Sequence, residues 1–277
     1  MQRSTAHRSP GTGNPTSLGA AYDRKFFDAQ RSSSHLSATV VVPIAMELIA
    51  PRSVVDVGCG VGTWLAVFKE RGCDVCGVDG DYVDRSSLMI PPPNFTPSDL
   101  GRPLALGRTF DLAVSLEVAE HLAPERGPSF VRDLTLLAPA VMFSAAIPGQ
   151  GGVNHVNERW QDYWAGLFLE HGYEPADVIR PRVWMDDRVD AFYRQNTILF
   201  VKASERHHYQ VLARYLEHPP QFPLAVVHPR AFAGLVGWFA PENMGVRRVT
   251  RELMGSVWRA ARKRLAPVRA GRRGGKS

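Results

Sequence analysis

The stretch VVDVGCGVGTWL, residues 54–65, sets a carboxylate, Asp56, inside an apolar run and follows it with glycines at 58, 60 and 62. An unpaired buried carboxylate costs several kcal/mol and each glycine roughly 1 kcal/mol in backbone order, so the arrangement calls for a compensating ligand. A strand that enters a glycine loop and leaves as a helix aims backbone N–H groups at whatever binds there. Dinucleotide loops carry their third glycine one position later, where this chain has Thr63. Asp56 would repel a pyrophosphate but attract an ammonium or sulfonium centre. The loop is therefore expected to take a cationic ligand, which disfavours an NAD-dependent dehydrogenase.

A second group lies in EVAEH, where Glu117, Glu120 and His121 stand at i, i+3 and i+4. On one helical turn they would share a face, as a hard divalent cation or a proton relay requires. His155, in GGVNHVNERW, follows a later strand and is expected at the same end of the sheet. Three readings stand for these histidines: ligands, with Glu117 and Glu120, to Mg²⁺ or another divalent cation; a general base in His155 or His121, beside Glu117; or packing. Asn157, Glu158, Trp160, Tyr163, Trp164, Trp184, Tyr193 and Asn196 join flat apolar faces to hydrogen-bonding tips, which suits a polyhydroxylated acceptor. Tyr163, Trp164 and Phe168 also have the spacing of a core stripe. Tyr22, Phe26 and Phe27 are candidates for a lid.

The elements that must position these groups alternate along the chain. Helical patterns cover about 20–30 and 37–49. SVVDV, DVCGVD, a short FTPSDL, TFDLAVSL, AVMFSAAI, ADVIRPRVW and NTILFVK read as strands, and TWLAVFKERG, 117–122, 129–137 and ERWQDYWAGLFLEHG as helices. Apolar central strands between helices predict an α/β fold, a mostly parallel sheet covered on both faces, with an antiparallel edge at its end. Residues 1–18 read as a disordered N-terminus, 19–204 as one domain with an N-terminal helical cap, and 205–277 as a helical, basic extension.

Composition narrows the classes further. The 277 residues are 44% hydrophobic and 22% charged, with no apolar run near the ~20 residues that cross a bilayer. No apolar signal-peptide core opens the chain, and a cytoplasmic location is expected. Cys73 and Cys76 have no second pair with which to complete a zinc site. The net charge of +6 is all tail: residues 246–277 hold eleven Arg or Lys against Glu252. An acidic body argues against nucleic acid as a partner. In the tail Val246, Val249, Leu253, Val257, Ala261 and Leu265 recur at helical spacing among arginines, preceded by Leu235, Trp238 and Phe239. The segment 232–266 reads as a surface for the catalytic domain, for a second subunit in an oligomer, or for the inner face of an anionic membrane.

DVGCGVG followed by GVDGD, SDL and FDLAVSLEVAEHL resembles the class I S-adenosylmethionine-dependent methyltransferases over about residues 53–202. The resemblance implies a Rossmann-like seven-stranded sheet with an antiparallel last strand. It implies that Asp56, Gly58, Cys59, Gly60 and Gly62 receive the methionine part of S-adenosyl-L-methionine, and that Asp79 and Gly80 meet the ribose. Asp99 and Leu100 would then frame the adenine, while Ser115, Leu116 and Glu117 line the methyl-donor end. SLEV replaces the (D/N)PP(Y/F) tetrad associated with methylation of planar nitrogens. HVNERWQDYW and WMDDRVDAFYRQN are similar to methyltransferases of glycan and natural-product pathways, with Asn157, Trp160, Tyr163, Trp184 and Tyr193 facing a small-molecule or glycan acceptor. EVAEH is similar to segments of ubiquinone-pathway O-methyltransferases and of metal-assisted RNA 2′-O-methyltransferases. The expected activity is O-methylation of a sugar or other hydroxylated small molecule. The alternatives are the RNA enzyme and a non-catalytic donor-binding partner protein.

Overall fold

The computed structural model describes residues 24–217 and 223–239, with Thr250 and Met254. Seven strands form one sheet: β1 (Ser53–Val57), β2 (Asp74–Asp79), β3 (Phe95–Pro97), β4 (Leu112–Leu116), β5 (Ala140–Ser144), β6 (Tyr173–Ala176) and β7 (Ile198–Lys202). Their order is β3-β2-β1-β4-β5-β7-β6, with β7 antiparallel to both neighbours and the other pairs parallel. The α/β sheet with its antiparallel last strand is thus as the sequence implies.

Side chains alternate across the strands and give the sheet two apolar faces. Val54, Val75, Leu112, Val114, Met142 and Leu199 face a layer that includes α1 (Arg24–Ile49) and α2 (Thr63–Glu70). Val55, Val57, Ala113, Phe143, Ile198 and Phe200 face α3 (Gly127–Leu137) and α4 (Gln161–Glu170). Both faces being covered, the central strands need no polar side, which is why they read as unbroken apolar runs.

Three local expectations are corrected. The two N-terminal helical segments are one helix, α1, running through RSSSH and through Pro43. Its serines are held by tertiary hydrogen bonds: Ser33 donates to Asp190, Ser34 Oγ accepts from Trp64 Nε1 at 3.1 Å, and Ser37 Oγ accepts from the Asp190 N–H at 3.0 Å. The helix stops at Ala50, which takes a left-handed φ of 50° just before Pro51. The strand assigned to ADVIRPRVW lies earlier, at Tyr173–Ala176, and Arg180–Val183 is a short helix, α5. Pro181 has no N–H for a sheet ladder but suits a first helical turn. Finally, 117–122 is no helix but a single 3₁₀ turn over Ala119–His121.

After β7 a 3₁₀ segment (Ala203–His208) and α7 (Gln210–Glu217) follow, and α7 packs on α1 and β6. A further short helix, α6 (Ala191–Asn196), precedes β7. The compact unit of the sheet reaches His228, and α8 (Pro229–Phe239) belongs to a second unit. No helix among the described residues is long and apolar enough to cross a membrane. The side chains of Tyr22, Phe26 and Phe27, the N-terminal 18 residues and nearly all of the basic tail helix lie outside the described residues.

One buried ion pair fixes the loop after β3. Arg126, 7% exposed, pairs with Asp133 and donates to the carbonyls of Leu100 at 3.0 Å and Arg102 at 2.8 Å. Removing one member of such a pair leaves the other charge buried alone. Arg126→Ala is expected to cost about 3–5 kcal/mol in denaturant unfolding. A cost below about 1 kcal/mol, the worth of a surface pair, would refute this role.

Candidate active site

The carboxyl ends of the parallel strands converge on the glycine loop. Gly58 and Gly62 have φ of 90° and 83°, a region that costs side-chain-bearing residues dearly. At Gly58 space matters too, because an added Cβ would lie 2.3 Å from Val118 Cγ2. The loop is tied back to β2, with the Gly58 N–H donating to the Val78 carbonyl at 2.7 Å and the Gly60 N–H to Asp79 Oδ2 at 2.7 Å. Cys59 is buried in the turn between them.

Asp79 is buried and also accepts from the Gly80 N–H and the Tyr82 hydroxyl, both at 2.6 Å. Gly80 lies under the Tyr82 ring, which a Cβ there would strike. Asp56, in the middle of β1, is 3% exposed and has no hydrogen bond to its carboxylate among the described residues. Burial, and then the charge of Asp79, push its pKa well above the usual carboxylate range. An unpaired buried carboxylate beside a glycine cradle fits a donor that brings a cationic centre. Asp99 is exposed and pairs with Arg102, while half-buried Leu100 packs against the core beside α3 and α4.

The other side of the site is built where β4 ends. Ser115 and Leu116 are buried, with Ser115 Oγ unpartnered. Glu117 takes a φ of 56°, strained for a residue with a side chain, and its N–H donates to the Ser144 carbonyl at 3.0 Å. That reversal throws its carboxylate onto two amides: Gln150 Nε2 donates to Oε2 at 2.7 Å and Asn196 Nδ2 to Oε1 at 3.1 Å. Burial raises its pKa, with the amides of Asn196 and Gln150 and the Ser144 hydroxyl working in the opposite direction. Gln195 continues the network, donating to Gln150 at 3.2 Å and to Asn196 at 3.1 Å.

Glu117 is thereby separated from the two residues expected to share its face. Glu120, His121 and His155 come together instead, with one ligand atom of each within 4.8 Å of the others. Among the acceptor residues, Asn157 is buried and donates to the Ala119 carbonyl at 3.4 Å, so it braces the 3₁₀ turn. Tyr163 packs on Trp164 and under Arg159, and buried Tyr193 meets the Trp64 ring edge-on at 5.0 Å. Trp184 packs on His228, whereas Trp160 is 41% exposed at the start of α4. Gln150, Gln195 and Ser144 escape sequence reasoning; the polar pair Gln195–Asn196 directly before an apolar strand is the one signal that marks them.

Residues 29–177 match the methyltransferase domain family, over half of the chain. The chain belongs to that family. Over 111 residues, 38% of its length, it is 31% identical to a ubiquinone biosynthesis O-methyltransferase of Methylobacterium sp. (strain 4-46), and it spans 44% of that relative. The chain also shares its fold with the sugar N-methyltransferase KedS8 from Streptoalloteichus sp. ATCC 53650, at a TM-score of 0.52 and 17% identity, over 71% of this chain and 99% of that one.

The raised pKa of Asp56 has a consequence for stability. A carboxyl whose pKa is higher folded than unfolded favours the fold below the unfolded value, near ~3.9, and that contribution is lost as pH rises through the folded value. Asp56→Asn removes this loss. The donor-free variant should melt above the parent at pH 8, by roughly 2–4 °C per kcal/mol, and close to it at pH 4. It should also bind S-adenosylmethionine about tenfold or more weakly, for want of the charged partner. Equal affinity by calorimetry would dismiss the pairing.

Proposed function

We propose that this methyltransferase transfers a methyl group to a hydroxyl of a sugar or similar hydroxylated small molecule, with Glu117 receiving the proton. The observation that carries the reading is the Glu117 carboxylate, held on both oxygens by Gln150 and Asn196 at the end of β4, one residue before the Val118 that packs on Gly58. The O-methyltransferase among its relatives supports oxygen as the acceptor atom.

S-adenosylmethionine supplies an electrophilic methyl on a sulfonium. Asp56 and the bare backbone of the glycine loop would receive the donor's charged end, Asp79 and Gly80 its ribose, and Asp99 and Leu100 the adenine edge. Because the displacement is in line, the protein's remaining work is to position the acceptor and take its proton. A carboxylate whose pKa is raised by burial is a stronger base than one in water. Gln150 and Asn196 fix its direction, and buried Gln195 fixes both of them. Exposed Trp160, at the start of α4, offers a flat apolar face of the kind on which a sugar ring stacks. A divalent cation would enter beside this site through Glu120, His121 and His155.

The test is a panel of hydroxylated and amino acceptors with purified protein and S-adenosylmethionine, read as S-adenosylhomocysteine release. Glu117→Gln keeps the shape but loses the base. It should lower kcat by about 10²–10⁴ with donor affinity unchanged. Turnover of amines alone, or an unimpaired Glu117→Gln enzyme, would reject the proposal.

A further inference from the structure

The turn after β4 holds a second uncompensated carboxylate. Glu120 is 0% exposed, and neither of its carboxylate oxygens has a well-formed hydrogen bond, the nearest donors being the backbone N–H groups of Glu120 itself and Ala146. Such a group costs several kcal/mol unless an opposite charge meets it. No lysine or arginine pairs with it among the described residues. The carboxylates of Glu117 and Glu158 add negative charge nearby, and two imidazoles, His121 and His155, face Glu120, their rings meeting edge to face at 4.8 Å.

His155 is held as a ligand would be. Its Nδ1 is 2.9 Å from Glu158 Oε1, and Glu158 is itself fixed by the N–H groups of Gly149 at 2.7 Å and Gly151 at 2.9 Å. A carboxylate on one ring nitrogen sets the tautomer and leaves Nε2 as the basic one, the arrangement found behind metal-bound histidines. Gly152 leaves room for that ring, since a Cβ there would lie 2.1 Å from Nε2. The backbone adds rigidity: the N–H groups of Val156 and Asn157 donate to the Glu120 carbonyl at 2.9 and 3.0 Å, tying the histidine's loop to the glutamate's turn. His121 is exposed and gives the site a side open to solvent.

We propose that Glu120, His121 and His155 bind one divalent transition-metal ion of the zinc type, with a fourth position open to solvent. The donors, two nitrogens and one oxygen, are those of zinc sites rather than of all-oxygen Mg²⁺ sites. Zinc bonds of about 2.0–2.2 Å bring ligand atoms to roughly 3.4 Å from one another, within a side-chain rotation of the 4.8 Å span. The ion neutralises Glu120 and accounts for a buried carboxylate that no lysine or arginine among the described residues pairs with. The inference does not rest on the methyl acceptor, because binding is read without turnover.

Full-length protein, stripped with a chelator and reloaded with Zn²⁺, is desalted and its metal content measured by mass spectrometry; Co²⁺ loading is followed by its visible absorption. About one equivalent of zinc per chain and tetrahedral Co²⁺ bands are expected. Glu120→Gln and His155→Ala should retain almost none. Glu158→Gln, which touches no metal, should weaken affinity about 10–100-fold. His121→Ala, at an exposed position, should weaken it with circular dichroism unchanged, which covers the case in which a buried variant misfolds. His208→Ala, at the opposite end of the sheet beyond β7, is the control and should bind as the parent does. Zinc retained equally by the parent and by His121→Ala and Glu158→Gln, or retained by none of them, would overturn the site, whatever the fate of the methyltransferase assay.

Discussion

A carboxylate withdrawn from water without a partner is the constraint around which this protein is arranged. Asp56 sits at the centre of the sheet, on the strand between β2 and β4, and is buried with the charge of Asp79 near it. Burial raises the pKa of Asp56, so its charge costs stability that a cationic ligand would return; stability and affinity oppose each other in many sites that keep charge in a dry place.

The rest of the site is reached from Asp56 through two contacts. Gly60 links the loop to Asp79, and Val118 presses on Gly58, so the turn that carries Glu117 rests directly on the glycine loop. Displacement chemistry is sensitive to the placement of its reactants. On the proposed reading, that steric contact would hold donor and acceptor in register. The strained φ of Glu117 belongs to the same arrangement: the chain leaves β4 while its N–H is still bound to Ser144, and the side chain is turned onto Gln150 and Asn196.

Where sequence reasoning departs from the structure, long-range contacts overrode local pattern. The serines at 33, 34 and 37 look like a break between helices, yet each has a partner from residues more than 25 positions away, and α1 runs through them. EVAEH has helical spacing, but the left-handed φ of 56° at Glu117 takes that residue out of any helix. The aromatic residues expected on an acceptor wall divide by packing: Tyr193 and Tyr163 spend their faces on other rings and on Arg159, and Asn157 spends its amide on a backbone carbonyl.

The sequence by itself determined the sheet, the glycine loop with its carboxylate, and the family. Those features rest on residues next to one another, where apolar runs, glycine freedom and a misplaced charge act over a few positions. Only the tertiary structure decided which carboxylate joins which partner. Glu117 and Glu120 are three residues apart and identical in type, yet one goes to the amides of Gln150 and Asn196 and the other to two histidines. Spacing along the chain cannot distinguish them, because the difference is made by the left-handed backbone at Glu117 and by segments that return from 30 to 80 residues later.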